Sequence, residues 1–242
     1  MKHFHGSSEV TLKKDASPVT LADSDSEAII LAALKRLAPD IPVISEESAD
    51  RDNGDPGDRF FLVDPLDGTK EFIKKRSDFT VNIALIDHGR PVFGLVYAPA
   101  RSLLAVTTAP GEAIEAELPA SASGADLAKL KQKRLKVRAQ SPEGLTALVS
   151  FSHLDPETEA FLAKLNIAKR SGAGSSVKFV EIARGEADVY PRFGPTMEWD
   201  TAAGQAVLEA AGGKVVTIDD SPLRYGKRSD GLRNPSFIAW GG

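Results

Sequence analysis

The chain has 242 residues, 34 acidic and 30 basic side chains, a net charge of −4 and an apolar fraction of 42%. That is enough for one large domain or two small ones with a substantial core, and it is unlike a disordered chain. The absence of cysteine excludes disulfides, zinc–thiolate centres and thiol nucleophiles, and the mild charge offers no broad face for a nucleic-acid polymer.

Taken in order, MKHFHGSSEV has no apolar segment of the signal-peptide kind, so a cytoplasmic location is expected. His3 and His5 form an H-x-H pair that reads as a mobile terminus rather than a metal site. Residues 22–38 carry an apolar stripe of Ile29, Ile30, Ala33, Leu34 and Leu37 and read as a helix, opened by a capping box between Thr20 and Asp23. IPVIS (41–45) and RFFLVD (59–64) read as strands joined by an acidic, Gly/Pro-containing loop. TKEFIKK (69–75) starts a short helix after the bend that Gly68 permits. FTVNIALID and PVFGLVYA flank HGR as a hairpin, and SLLAVTT and AIEAEL flank APGE as another. Residues 119–132, rich in Ala, Ser and Lys, read as a linker or exposed loop.

After about residue 140 the pattern alternates. TALVSF is a strand, PETEAFLAKLN and SSVKFVEIARG are helices, ADVYPRF is a strand, EWDTAAGQAVLEAAGG is a helix and KVVTI is a strand. Hairpins followed by alternation define an α/β (α+β) protein whose sheets are antiparallel first and more parallel later. Two parts, 1–140 and 141–242, are expected to form one compact catalytic unit. The longest apolar runs are far shorter than a membrane span, which leaves only peripheral association with a membrane open.

The acids are distributed less evenly than the elements. Asp64 and Asp67 stand three apart on a bend in VDPLDGT, Glu46 and Glu47 end the run ISEES, Asp200 opens an Ala-rich helix in MEWDTAAG, and Asp23 follows SPVTLA. Singly, each is a solvated turn acid or a helix cap. Together they place acids at four element ends, and convergence would force a cation into the site. Two like charges about 4 Å apart repel by about 4 kcal/mol at an effective dielectric near 20. Carboxylates, the Leu66 carbonyl left out of the ladder and a hydroxyl make an oxygen-only set suited to hard divalent cations. The amides of Gly68 and Thr69 at a helix start suit phosphate. Metal-assisted phosphoryl hydrolysis follows as the expected chemistry.

DPLDGT, SEE and WDTAAG together resemble the magnesium-dependent, lithium-sensitive phosphatases of the inositol monophosphatase superfamily. KKDASPVTLAD, PVISEES, DPLDGTKEFI, FTVNIALIDHGRPVFGLVYAP, GSSVKF and YPRFGPTMEWDTAAG are similar to its bacterial 3'(2'),5'-bisphosphate nucleotidase branch, in order, over about residues 10–240. The resemblance implies a five-layer αβαβα sandwich and two or three Mg2+ ions held by Glu46, Asp64, the Leu66 carbonyl, Asp67 and Asp200. It implies that Thr69 and Asp23, with Glu46 nearby, orient an attacking water. It implies substrate contacts from Asp67, Gly68, Thr69, His153, Ser175, Lys178, Arg192 and Asp200. The implied reaction converts adenosine 3',5'-bisphosphate to AMP and phosphate, with the 3'-phosphate of 3'-phosphoadenylyl sulfate as a second target, in a monomer or homodimer serving sulfate assimilation. Inositol monophosphatase or fructose-1,6-bisphosphatase activity is the alternative, with a non-catalytic nucleotide-binding relative behind it. Relatives usually carry a longer apolar helix before the SPVT segment than this chain does.

Overall fold

The computed structural model describes residues 1–6, 10–12, 18–49, 54–122, 127–150 and 155–242. One helical turn (α1, Lys2–His5) and an antiparallel ribbon (β1, Val10–Leu12; β2, Pro18–Thr20) lead into α2 (Leu21–Leu37). The terminus is docked, contrary to the mobile reading. Phe4 packs 5.4 Å from the Phe72 ring and 5.0 Å from Phe79, and His3 Nε2 meets Asp25 at 2.8 Å.

The start of α2 follows the capping pattern. Thr20 Oγ1 accepts from the Ala22 amide, and Asp23 Oδ2 accepts from the Thr20 amide at 2.8 Å. Its apolar stripe does not face the core: Ile29 and Leu37 are 71% and 74% exposed, and Asp23 is the buried residue of the helix. The reason lies in what the helix touches. Asp23, Ser26 and Glu27 turn toward Thr69, the Pro65 carbonyl and Ser48, so the inward face of α2 is polar and serves a site rather than a core.

Next come β3 (Val43–Ser45), β4 (Arg59–Asp67), the short α3 (Thr69–Ile73), β5 (Thr80–Asp87), β6 (Arg90–Ala98), β7 (Leu103–Ala109), β8 (Glu112–Glu117) and β9 (Gln132–Arg134). They form a seven-stranded sheet in chain order, with β3 parallel to β4 and every other pair antiparallel. The β5–β6 hairpin closes through His88 and Gly89, both at positive φ (50° and 72°), which matches the right-handed strand twist. The expected linker 119–132 is only partly a loop, because its last residue begins β9. That strand is wholly exposed and carries QKR, so it lacks the apolar alternation by which strands are read.

The second half contributes β10 (Leu145–Val149), α4 (Pro156–Leu162), β11 (Ile167–Gly172), α5 (Val177–Ala183), β12 (Val189–Arg192), α6 (Glu198–Ala210), β13 (Lys214–Thr217) and β14 (Phe237–Trp240). Five strands pair in the order β11-β10-β12-β14-β13, the first three parallel and β14 antiparallel to both neighbours. The antiparallel-then-parallel expectation is met. β11 and β14 were not foreseen, since the charged IAKRSG hides one and the other is a short apolar run near the end of the chain.

The layers are α1 and α2, the larger sheet, α5 and α6, the smaller sheet, and α4 against β12. This is the expected αβαβα sandwich. One core cluster draws on both halves, from Phe60 and Ile86 to Phe179, Trp199 and Phe237. Two glycines set the height of α6. A Cβ at Gly94 would lie 2.3 Å from the Ala203 carbonyl oxygen, and one at Gly204 would lie 2.4 Å from the Phe179 ring. With side chains there, α6 could not approach the sheet, and Asp200 at its start would move with it.

Candidate active site

The segment DPLD is a β-bulge. Asp64 pairs with Asn82 and Asp67 with Thr80, so two residues of β4, Pro65 and Leu66, stand opposite one residue of β5. In a regular strand, residues three apart point to opposite faces. The extra residue resets that alternation and turns both carboxylates the same way. Asp64 Oδ1 accepts from the Leu66 amide at 3.0 Å, which holds the bulge closed. Gly68 then adopts φ 91°, where a Cβ would be strained and would sit 3.2 Å from the Asp78 carbonyl oxygen.

The third acid arrives from α6. Asp200 Oδ2 accepts from the Met197 amide at 2.8 Å, so the expected capping role is real. It does not exhaust the carboxylate. Among the described residues, Asp64, Asp67 and Asp200 each offer an oxygen within 4.8 Å of the other two. Glu46 stands outside that set but lines the same cavity. Burial, then repulsion from Glu46, Asp67 and Asp200, pushes the Asp64 carboxyl well above the usual range. Burial and the Asp67 charge do the same to Asp200. Burial pushes Asp67 up to about 6, although the Lys178 charge and the Ser176 amide work against it. Three carboxyls held against their preference to ionise form a set that a cation would relieve. All the donors are oxygen, which fits a hard divalent ion such as Mg2+ rather than a thiophilic metal.

Thr69, the first residue of α3, bridges two of the expected participants. Its hydroxyl lies 3.4 Å from Asp23 Oδ1 and 3.4 Å from the Leu66 carbonyl oxygen. Asp23 is 2% exposed, and its other oxygen is taken by the Thr20 amide and hydroxyl. Burial raises its pKa, with a smaller contribution from Glu46. The acids from four separate stretches of chain therefore do converge.

The cavity above them has a volume of about 350 Å³, and its wall includes Gly68, Thr69, Ser175, Lys178, Arg192 and Asp200. Acids and the cations Lys178 and Arg192 share this wall, and the Lys178 charge acts directly on Asp67. Lys178 is not a solvated helix-face residue. It is 4% exposed, donates to the Ser175 and Ala173 carbonyls at 2.8 and 3.3 Å, and sits 4.9 Å from the Tyr190 ring. Burial lowers its pKa to about 8. Arg192 Nη2 donates to the Pro195 carbonyl at 3.0 Å, while its Nε is buried without a partner among the described residues. Ser175, at φ 43°, precedes α5 rather than opening it, and its hydroxyl meets Thr80 Oγ1 at 3.0 Å. His153 lies outside the described residues.

Sequence reading missed Asn82 and Ser176. Both are wholly buried and bond around Asp67 and Asp200. A signal existed: Thr80 and Asn82 occupy the same register of β5 as the buried Ala84 and Ile86, so two polar residues interrupt a core face.

This combination of sandwich and acidic bulge defines a phosphatase class. A family model described as the inositol monophosphatase family matches residues 1–237, and the chain belongs to that family. Within it, the chain is 44% identical over 236 residues to the 3'(2'),5'-bisphosphate nucleotidase CysQ of Shigella flexneri, covering 95% of this chain and 87% of that protein. The protein of the same name from Escherichia coli strain K12 is 43% identical over the same span. The crystal structure of CysQ from Bacteroides thetaiotaomicron, a bacterial member of the inositol monophosphatase family, superposes with a TM-score of 0.79 at 39% identity, covering 95% of this chain and 86% of that one. The IMPase of Thermotoga maritima shares the fold at a TM-score of 0.74 and 23% identity, covering all of this chain and 86% of that one. Among the described residues no helix is long and apolar enough to cross a membrane.

Proposed function

We propose that this chain is a Mg2+-dependent 3'(2'),5'-bisphosphate nucleotidase that converts adenosine 3',5'-bisphosphate to AMP and phosphate. The 3'-phosphate of 3'-phosphoadenylyl sulfate is a second target, and the role is nucleotide recycling during sulfate assimilation in the cytoplasm. The observation that carries this reading is the composition of a single cavity. Its wall holds Asp67 and Asp200, with Asp64 beside them, together with the cations Lys178 and Arg192. A bisphosphate needs two anion sites of different kinds, and the names of the CysQ relatives point the same way.

Glu46, Asp64, Asp67, Asp200 and the Leu66 carbonyl would hold two or three Mg2+ ions. Bound there, Mg2+ supplies charge that lowers the pKa of a water and neutralises developing negative charge on the phosphate. The protein does the rest. Asp23 accepts the Thr69 hydroxyl proton, which leaves the Thr69 oxygen lone pairs free to accept from the attacking water and aim it. The Gly68 and Thr69 amides border the place where phosphate oxygens gain charge, and fixed donors act there without reorganising. Lys178 and Arg192 supply charge-assisted hydrogen bonds to the phosphate that is not cleaved.

The test is phosphate release from adenosine 3',5'-bisphosphate, 3'-phosphoadenylyl sulfate, inositol 1-phosphate and fructose 1,6-bisphosphate under one set of conditions. The nucleotides should lead in kcat/KM by tenfold or more. Equal or faster turnover of inositol 1-phosphate would replace this reading with an inositol monophosphatase.

A further inference from the structure

The three acids belong to two separate structural units. Asp64 and Asp67 ride on β4 of the larger sheet, and Asp200 rides on α6. Any drift of α6 would open the set. We infer that Asn82 and Ser176 are positioning residues that lock Asp67 and Asp200 together and so build the cation site before a cation arrives. The inference rests on the cation-binding reading of the acids and assigns new residues to it.

The bonds form a directed chain. The Asp200 carbonyl can only accept, and it takes the Ser176 hydroxyl proton at 2.7 Å. The Ser176 oxygen must then accept, and it takes an N–H of Asn82 at 3.0 Å. This fixes the amide orientation of Asn82. The same Nδ2 points toward Asp67 Oδ2 at 3.4 Å, and the Ser176 backbone amide donates to that oxygen at 2.8 Å. Two donors therefore fix one oxygen of Asp67. Ser176 touches both acids, with its amide on the Asp67 carboxylate and its hydroxyl on the Asp200 backbone.

The surroundings make this chain rigid and expensive to keep. Asn82 and Ser176 are each 0% exposed. Asn82 Oδ1 has no partner among the described residues, a defect that an apolar residue would avoid. A second rung lies alongside, where Thr80 Oγ1 meets Ser175 Oγ at 3.0 Å. Lys178 clamps the same turn through the Ser175 carbonyl. In this arrangement β5, the turn before α5 and the first turn of α6 move as one body. Outer partners that orient metal-binding carboxylates commonly change metal affinity by roughly 10- to 100-fold.

The experiment is calorimetric titration of Mg2+ into the full chain and into Ser176→Ala, Ser176→Thr, Asn82→Ala and Asp67→Asn, with thermal melts in chelator to verify folding. Ser176→Ala removes one oxygen and is the variant least able to disturb the fold. The expected result is Mg2+ binding weakened by roughly tenfold or more in Ser176→Ala and Asn82→Ala, with Ser176→Thr close to the parent because its hydroxyl survives. The Mg2+ concentration for half-maximal turnover should rise by the same factor, while KM for adenosine 3',5'-bisphosphate at saturating Mg2+ stays put. A merely structural role would lower the melting temperature and leave the Mg2+ affinity alone. Parent-like Mg2+ binding by folded Ser176→Ala, with binding lost in Asp67→Asn, overturns the positioning role. No Mg2+ binding by the parent overturns the cation reading itself.

Discussion

Asp67→Asn should make the metal-free protein more stable and the enzyme inactive. Asp67 shares a space of 4.8 Å with Asp64 and Asp200, and each unit-charge pair at that range repels by about 3.5 kcal/mol at an effective dielectric near 20. The protein answers by raising the Asp67 pKa to about 6 from an ordinary value of 3.8. At about 1.4 kcal/mol per unit, ionised Asp67 destabilises the metal-free fold by about 3 kcal/mol at neutral pH. Asp67 is only half-buried, so solvent reduces this to about 2 kcal/mol. An asparagine keeps a carbonyl oxygen for the Ser176 amide and removes the charge. Near pH 7.5 in chelator, the variant should melt about 4–8 °C above the parent, at about 2–4 °C per kcal/mol for a chain of this size. The sign with pH follows. Between about pH 4 and 6 the folded parent binds more protons at Asp67 than the unfolded chain does, so this group removes stability as pH rises through that window. The gap between variant and parent should therefore close as the pH falls toward 4. Added Mg2+ should raise the melting temperature of the parent much more than that of Asp67→Asn. A variant that melts below the parent in chelator, or turns over at the parental rate at ordinary Mg2+, would refute the reasoning.

Other outcomes follow from the same geometry. Arg192→Ala should lower kcat/KM for adenosine 3',5'-bisphosphate by roughly tenfold or more, the loss of a charge-assisted bond of about 1.5–3 kcal/mol. Its turnover of inositol 1-phosphate, if measurable, should hold steady, and an equal loss on both substrates would return Arg192 to a role in the fold. Gly94→Ala, which drives a methyl to within 2.3 Å of the Ala203 carbonyl, should destabilise by about 1–3 kcal/mol and reduce activity by shifting α6; urea unfolding and steady-state rates measure both. Asp188 accepts from Arg138 Nε at 2.8 Å, Arg138 Nη2 at 2.6 Å and the Thr146 amide at 2.6 Å, which hold its carboxyl below the usual range. That stability is present above the ordinary carboxylate pKa and is lost as pH falls below it, so Asp188→Asn should be destabilised at pH 7 and converge on the parent in strong acid, as followed by denaturant melts.

The acids were legible in the sequence because each ends an apolar run or opens a helix, where a carboxylate has a small set of uses. Their convergence needed four such ends to be counted together, and the bulge in DPLD explains why two acids three apart serve one face. The α/β class was legible from hairpin signals followed by alternation, whereas the five-layer sandwich was implied by the family resemblance. What stayed hidden has common causes. β9 and β11 carry charged residues on exposed or half-exposed edges, so no period appears. The α2 stripe misled because the face of that helix turned to the protein is the polar one that reaches Thr69 and the Pro65 carbonyl. Asn82 and Ser176 are neutral residues whose importance lies in what they hold, and only the register of β5 betrays Asn82. Lys178 shows the converse, since its place beside the cavity was foreseen but its burial and its hold on the 173–175 turn were not.

The central claim is that clustered carboxylates assemble a Mg2+ site for removing the 3'-phosphate of a bisphosphate nucleotide. Chelator-treated protein incubated with adenosine 3',5'-bisphosphate and followed by phosphorus NMR tests it most directly. The account predicts no turnover until Mg2+ is restored, and then equimolar inorganic phosphate and 5'-AMP, with Ca2+ failing to substitute because it prefers longer bonds and more ligands. Full turnover in excess chelator, or release of the 5'-phosphate instead, would contradict it.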